Sequence, residues 1–87
     1  MSQPQLQPEE APSARVEQFC HLDAYQGSRG HLFPSIESLR WFVRVNRQNL
    51  VQAGALLMIA GRWMVDPARF DAEVVRVGQR AAGRVAR

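Results

Sequence analysis

The clearest pattern of apolar and polar positions lies in the middle of the chain, over residues 35–53. The positions of one predicted helix face recur every three or four residues, and they are Leu39, Phe42, Val43, Asn46, Leu50 and Ala53. Ser35 suits the N-cap because its hydroxyl can accept from a free N–H group of the first turn. Gly54 suits the left-handed conformation that ends many helices. The pattern therefore predicts an amphipathic helix over residues 35–53.

Two short apolar runs follow, over residues 55–59 and 63–65, with a glycine between them. This arrangement is typical of a β-hairpin. Gly61 is expected to supply the positive φ that a tight turn needs, and Arg62 is expected to lie in solvent at the tip. We expect Trp63 to pack inward on the return strand.

A second helix is predicted to begin at Asp66-Pro67, since aspartate is a good N-cap and proline suits the first helical position. Its apolar stripe consists of Phe70, Val74, Val77 and Ala81. Two later glycines each weaken a helix by about 1 kcal/mol relative to alanine. We therefore expect the helix to fray beyond Gln79 and residues 81–87 to form a mobile basic tail.

The N-terminal third of the chain gives weaker signals. Residues 1–14 are rich in proline, glutamine and glutamate, and they are predicted to be a disordered leader. Residues 15–25 are weakly helical, residues 26–30 have the glycines and serine of a flexible connection, and residues 31–33 are expected to be briefly extended. The whole pattern predicts one mostly helical α+β domain over residues 15–80.

The distribution of charge along the chain indicates the kind of partner that the protein binds. The chain has 87 residues and a net charge of +3, and all eleven of its cationic residues are arginines. Five of these arginines, but only one acidic residue, lie between Arg29 and Arg62. A concentrated basic patch attracts the phosphate backbone of a nucleic acid, because binding releases condensed counterions. The charge therefore indicates that the central helix and hairpin face nucleic acid.

Other kinds of chemistry find little support in the sequence. A single cysteine, Cys20, excludes an intrachain disulfide and fits a reducing cytoplasm. Cys20, His21 and His31 lack the paired spacing of a zinc site, and no nucleophile motif is present. The longest apolar run is far shorter than the roughly 20 residues that span a bilayer. We predict no enzyme, no metal and no cofactor, and a cytoplasmic, nucleoid-associated protein.

The polar face of the predicted central helix carries most of the candidate DNA-binding residues. With the hairpin arginine they are Ser38, Arg40, Trp41, Arg44, Arg47, Gln48 and Arg62. Arginine on a helix in the major groove can bond a guanine with two donors or clamp phosphates, and Ser38 is expected at a phosphate. The alternatives are a solvated basic face, a Trp41 packed under the hairpin, and an Arg62 that is merely tolerated in the turn.

Three segments together resemble a known family, and they are FPSIESLRWFVRVNR, LVQAGAL and GRWMVDPARFDAEV. Within them, the features that carry the resemblance are a helix start, a hairpin and an anchored second helix, at Ser38-Leu39-Arg40, at Gly61-Arg62, and at Val65, Asp66 and Phe70. They resemble the small winged helix-turn-helix proteins of bacterial mobile elements, such as phage excisionases, and more distantly the DNA-binding domain of MerR-type regulators. The resemblance implies a helix in the major groove, a two-stranded β-hairpin wing on the adjacent backbone, and binding to direct repeats or inverted sites.

The resemblance leaves the first helix of the motif unassigned. In the family this helix comes immediately before the reading helix, where this chain has the glycine-bearing segment 26–34. Either residues 15–25 supply it from a distance, or the helix over residues 35–53 includes both parts with a kink near Asn46.

Three functions are compatible with these features. The leading hypothesis is a sequence-specific protein for double-stranded DNA, either an excisionase-like recombination factor or a transcriptional regulator, acting as a homodimer or a cooperative oligomer. The second is a protein–protein interaction module, in which Trp41, Val45 and Val51 form a dimer contact or a patch for an integrase or polymerase. The third, which we do not favour, is a basic amphipathic helix on a membrane surface.

Overall fold

A computed structural model of the chain describes residues 15–85 and shows three α-helices with a three-stranded antiparallel sheet. The order along the chain is a 3₁₀ turn, β1, α1, α2, β2, β3 and α3, at Val16–Gln18, Cys20–His21, Leu22–Ser28, Ile36–Gln52, Leu56–Ile59, Arg62–Val65 and Pro67–Val85. The prediction of a mostly helical α+β fold is confirmed. The predicted leader, residues 1–14, lies outside the described residues.

Both predicted ends of α2 are confirmed. At the start, the Ser35 hydroxyl accepts the Ser38 N–H at 3.2 Å, and the Ser38 hydroxyl donates to the Ser35 carbonyl at 2.6 Å. At the end, Gly54 has a φ of 76°. The Gly54 N–H donates to the Val51 carbonyl at 3.0 Å, and the Ala55 N–H donates to the Leu50 carbonyl at 2.9 Å. These two bonds form the Schellman arrangement.

A kink divides α2 at Asn46, whose φ of −114° and ψ of 19° are not helical. The Asn46 side-chain amide donates to the Phe42 carbonyl at 3.0 Å. Such a side-chain bond competes with the regular backbone ladder and bends a helix. The kink that the sequence left open is therefore present, and it separates residues 36–45 from residues 47–52.

The predicted hairpin is also present, with Leu56 opposite Val65 and Ile59 opposite Arg62. Its turn consists of Ala60 and Gly61, which have φ values of 53° and 77°. Two central residues with positive φ match the right-handed twist of the strands. The expectation for Gly61 is confirmed, whereas Arg62 belongs to the first pair of β3 and not to the turn itself.

The sheet has three strands, so the prediction of a two-stranded hairpin alone is wrong. β1 pairs antiparallel with β3, with Cys20 opposite Val65 and His21 opposite Met64. A strand of two residues is too short to show an alternating pattern of apolar and polar positions. β1 forms only because it pairs with β3, and this pairing places the start of α1 beside the hairpin.

The segment around α1 differs from expectation in three ways. The weak helix over residues 15–25 is replaced by a 3₁₀ turn and a strand, and the helix begins only at Leu22. It continues through Ser28, which was assigned to a flexible connection. Residues 31–33 form a turn and not an extended segment, since the Leu32 and Phe33 N–H groups both donate to the Arg29 carbonyl at 2.9 Å. Tertiary packing thus overrides weak local preference here.

The third helix starts as predicted, since the Arg69 N–H donates to the Asp66 carboxylate at 3.4 Å. It continues to Val85, so the expected end beyond Gln79 is wrong. Two glycines cost only about 1 kcal/mol each, and the alanine, arginine and glutamine residues around them favour helix. Residues 86–87 lie outside the described part.

Ten apolar side chains form the core where the helices meet the sheet, and they are Leu22, Tyr25, Phe33, Leu39, Val43, Leu50, Ala55, Leu56, Val65 and Phe70. Tyr25 packs on Phe70 with ring centres 4.6 Å apart, and Phe33 packs on Phe42 at 5.3 Å. Each large side chain buried in this way contributes about 1.5–3 kcal/mol. The core fixes one face of α2 and leaves the other to solvent.

Candidate nucleic-acid interface

An open groove runs between the first turn of α1, the exposed side of α2 and strand β3. We call it the basic groove, and it is lined by His21, Leu22, Asp23, Ala24, Arg40, Val43, Arg44, Arg47, Arg62 and Trp63. It consists of two adjoining concavities of about 490 and about 270 Å³. Both are lined by Leu22, Arg40 and Trp63, so they form one continuous surface.

Four arginines that the sequence singled out come together in this groove. Arg40, Arg44 and Arg47 follow one another on α2 at spacings of four and three residues, which keeps them on one side of the helix. Arg62 starts β3 and lines the same concavity as Arg40. None of the four forms an ion pair with another part of residues 15–85. Their positive charge is therefore available to a partner.

Most arginines elsewhere in the described chain are paired with acids. The pairs are Arg15–Glu17 at 3.4 Å, Arg29–Asp71 at 2.6 Å, Arg69–Asp66 at 3.7 Å and Arg76–Glu73 at 3.3 Å. Within each pair the two charges largely cancel at a distance. Arg80 and Arg84 near the end of α3 also lack an acidic partner within residues 15–85, so four of the six unpaired arginines of the described chain line the groove. The fold thus concentrates most of the uncompensated positive charge at the groove, although the sequence spreads arginine along the whole chain.

The pair of Arg29 and Asp71 corrects one reading of the sequence, which counted Arg29 with the basic stretch. The guanidinium donates to both Asp71 carboxylate oxygens, at 2.8 and 2.6 Å, and the Tyr25 hydroxyl donates to the same carboxylate at 2.6 Å. The Arg29 hydrogen bonds hold the pKa of Asp71 below its usual value. Burial and the bond to Asp71 raise the pKa of Tyr25. This cluster holds α1 on α3 and so supports the α1 side of the groove.

Three of the candidate DNA-binding residues do not line the groove. The Ser38 hydroxyl is already used in the N-cap, so its donor is not available to a phosphate. Trp41 is 59% exposed, and the alternative that it packs under the hairpin is wrong. Gln48 is exposed and lines a neighbouring pocket with Arg44, Val45 and Arg47.

Sequence reasoning missed six of the residues that line the groove, and three of these carry polar or aromatic side chains, namely His21, Asp23 and Trp63. Trp63 packs partly against the core, as expected, but it also faces both concavities. Asp23 brings a negative charge to the end of the groove near Arg62. Only the pairing of β1 with β3 places His21 and Asp23 there, and no local pattern in the sequence indicates it.

Two other features, a metal-binding cluster and a membrane-spanning helix, are absent from residues 15–85. That part of the chain contains no group of three or more histidine, cysteine, aspartate or glutamate side chains that could hold a metal ion. Cys20 is a free thiol that packs against the core, and its burial raises the pKa. No helix within the same residues is both long and apolar enough to span a bilayer.

The chain was compared with known proteins in three ways. It matches no family model, no curated protein and no solved structure. The resemblance to winged helix-turn-helix proteins therefore stays a prediction.

Proposed function

We propose that this protein binds double-stranded DNA as a winged helix-turn-helix domain, through α2 and the basic groove. The observation that carries the proposal is the set of four arginines that lack an acidic partner within residues 15–85 and line one surface. Arginines of this kind neutralise phosphates and release their counterions, which supplies most of the affinity of a small DNA-binding domain.

The arrangement of elements suits a duplex. The part of α2 before the kink, residues 36–45, is a single helix, and a major groove about 12 Å wide admits one helix. Arg44 lies on its exposed side, where it can bond a guanine or a phosphate. Arg62 begins the strand beside it and reaches the neighbouring backbone, the role of a wing. The first turn of α1, held beside the hairpin by the pairing of β1 with β3, forms the facing wall of the groove.

The biological role follows from the layout of the DNA sites. An excisionase-like factor and a transcriptional regulator make the same groove contacts and differ in what lies next to the bound site. We propose one of these two roles, with cooperative binding of several copies to repeated sites as the means to useful affinity. Both roles place the protein on the nucleoid.

A second candidate is a protein–protein adaptor, which exposed apolar side chains on α2 favour. Trp41, Val45 and Val51 are 59, 58 and 47% exposed. Such side chains can bury apolar surface against a partner. The two functions differ in their response to salt, since an apolar contact changes little with ionic strength and a phosphate contact changes steeply.

The experiment that tests DNA binding is selection of bound sequences from random duplexes at moderate salt, followed by titration at several salt concentrations. Each phosphate contact contributes about −0.9 to the slope of log K against log salt, so four contacts give about −3.6 for one protomer. Failure to enrich any sequence, or an affinity independent of salt, would contradict the proposal. Salt-independent binding to another protein would favour the adaptor.

A further inference from the structure

The side of α2 that points away from the core carries two exposed apolar side chains, Trp41 and Val45. They are four residues apart, so they lie one above the other on the helix surface. At about 100° per residue, their mean direction lies roughly 160° around the helix from that of the buried pair Leu39 and Val43. We call Trp41 and Val45 the apolar crest of α2.

The crest is open in the described part of the chain. Neither side chain lines the basic groove. Trp41 makes no aromatic or cation–π contact within residues 15–85. Burial of so large an apolar side chain is favourable, and its exposure next to charged residues is typical of a contact surface.

The charges beside the crest select its occupant. Arg40 and Arg44 lie on the flank that faces the hairpin, and the exposed Glu37 lies one turn before Trp41 on the same side of the helix. Neither arginine forms an ion pair with Glu37 or with another acid within residues 15–85. Two copies joined crest to crest with antiparallel helices, about a twofold axis perpendicular to α2, would bring these arginines close to their own counterparts, and like charges across an interface lower affinity. A duplex instead offers phosphates to the arginines and the C5-methyl group of thymine to the crest.

Resting on the proposed DNA binding, we propose that Trp41 and Val45 contact thymine methyl groups in the major groove and give the protein a preference for thymine. Residues at i and i+4 have Cβ atoms about 5–6 Å apart, and the bases of one strand rise about 3.4 Å per step. The two contacted thymines are therefore about two base steps apart. Arg40, Arg47 and Arg62 hold the backbone and do not distinguish thymine from other bases.

The test replaces thymine by uracil, which lacks only the methyl group, one position at a time in a duplex obtained by selection. We expect two positions at which the replacement weakens binding by about fourfold, the effect of losing contact with one buried methyl group. Trp41→Ala should abolish the difference between thymine and uracil at one of these positions, and Val45→Ala at the other. Trp41→Leu, which keeps an apolar side chain, should retain part of it.

Arg40→Ala is the matched control, because it should weaken binding to thymine and uracil duplexes equally. If the protein binds the selected duplex but uracil changes the affinity at no position, the thymine contact is overturned and DNA binding stands. If no duplex is bound, the proposed DNA binding is contradicted, and the thymine contact that rests on it is contradicted as well. A free dimer that becomes a monomer on Trp41→Ala would show that a second copy covers the crest, which also overturns the proposal.

Discussion

Within residues 15–85, arginine side chains are paired with an acid in one region of this protein and unpaired in another. At the junction of α1 and α3, the Arg29 guanidinium donates to both oxygens of Asp71 and lies 4.8 Å from the centre of the Tyr25 ring. In the basic groove, Arg40, Arg44, Arg47 and Arg62 have no acidic partner within the described residues. The first arrangement holds the fold together and the second leaves charge for a partner. The pairing of an arginine therefore tells more about its role than its place in a basic stretch of sequence.

The largest expected effect lies at the α1–α3 junction. Asp71→Ala removes the acceptor for two Arg29 bonds and one Tyr25 bond. We expect the free energy of unfolding to fall by about 2–3 kcal/mol, less than a fully buried pair would lose because Asp71 is partly exposed. Denaturant unfolding monitored by circular dichroism measures it. The control is Gln79→Ala on the exposed side of α3, which should change the free energy of unfolding by less than about 0.5 kcal/mol. An equal loss in both variants would show that the α1–α3 junction does not stabilise the fold.

The same junction should respond to acid. Because the pKa of Asp71 is lowered in the folded protein, its stabilising contribution is complete above the unfolded pKa of about 3.9 and is lost as pH falls through the folded value. The stability difference between the natural chain and Asp71→Ala should therefore be constant near neutral pH and shrink below about pH 4. Unfolding curves at several pH values measure this difference. A difference that stays constant down to pH 2 would contradict the Arg29 hydrogen bonds as its cause.

In the groove the expected effect is on binding and not on folding. Arg44→Ala should weaken binding to a selected duplex by about 2 kcal/mol, within the range of 1–3 kcal/mol for a base contact. Its free energy of unfolding should stay unchanged, since the side chain is exposed. Fluorescence anisotropy titration measures the affinity, and Arg84→Ala on α3 is the control with the same change of charge. Equal affinity for the Arg44→Ala variant and the natural chain would remove Arg44 from the interface.

The smallest effect is expected at the acidic end of the groove. Asp23 lines the concavity that contains Arg40 and Arg62, where its carboxylate repels a phosphate. Asp23→Asn should strengthen DNA binding by about 0.5 kcal/mol, and more so at low salt, because exposed charges are screened. Titrations at two salt concentrations measure the change. Unchanged affinity at the lower concentration would show that DNA does not reach this end of the groove.

The sequence was most informative where the signal is local. The two caps of α2, the positive φ of Gly61 and the start of α3 at Asp66-Pro67 all follow from single residues whose chemistry suits one position. The spacing of Arg40, Arg44 and Arg47 likewise follows from the period of the helix. These features were predicted correctly because they need no knowledge of distant residues.

What the sequence missed depends on contacts between distant residues. β1 exists only because Cys20 and His21 pair with Met64 and Val65, and two residues carry no readable period. The Arg29–Asp71 pair joins residues that are 42 positions apart. The approach of Asp23 and Trp63 to the arginines also depends on distant contacts, because the pairing of β1 with β3 places the start of α1 beside the hairpin. For the candidate site, the cationic residues were predictable and the groove that arranges them was not.

The most direct test of the central claim compares two triple variants of equal charge. One carries Arg40→Ala, Arg47→Ala and Arg62→Ala in the groove, and the other carries Arg15→Ala, Arg80→Ala and Arg84→Ala outside it. The slope of log K against log salt for a selected duplex should lose about 2.7 in magnitude in the groove variant, at about 0.9 for each phosphate contact, and should stay close to that of the natural chain in the other. Equal slopes for the two variants would contradict the claim that DNA binds at the basic groove.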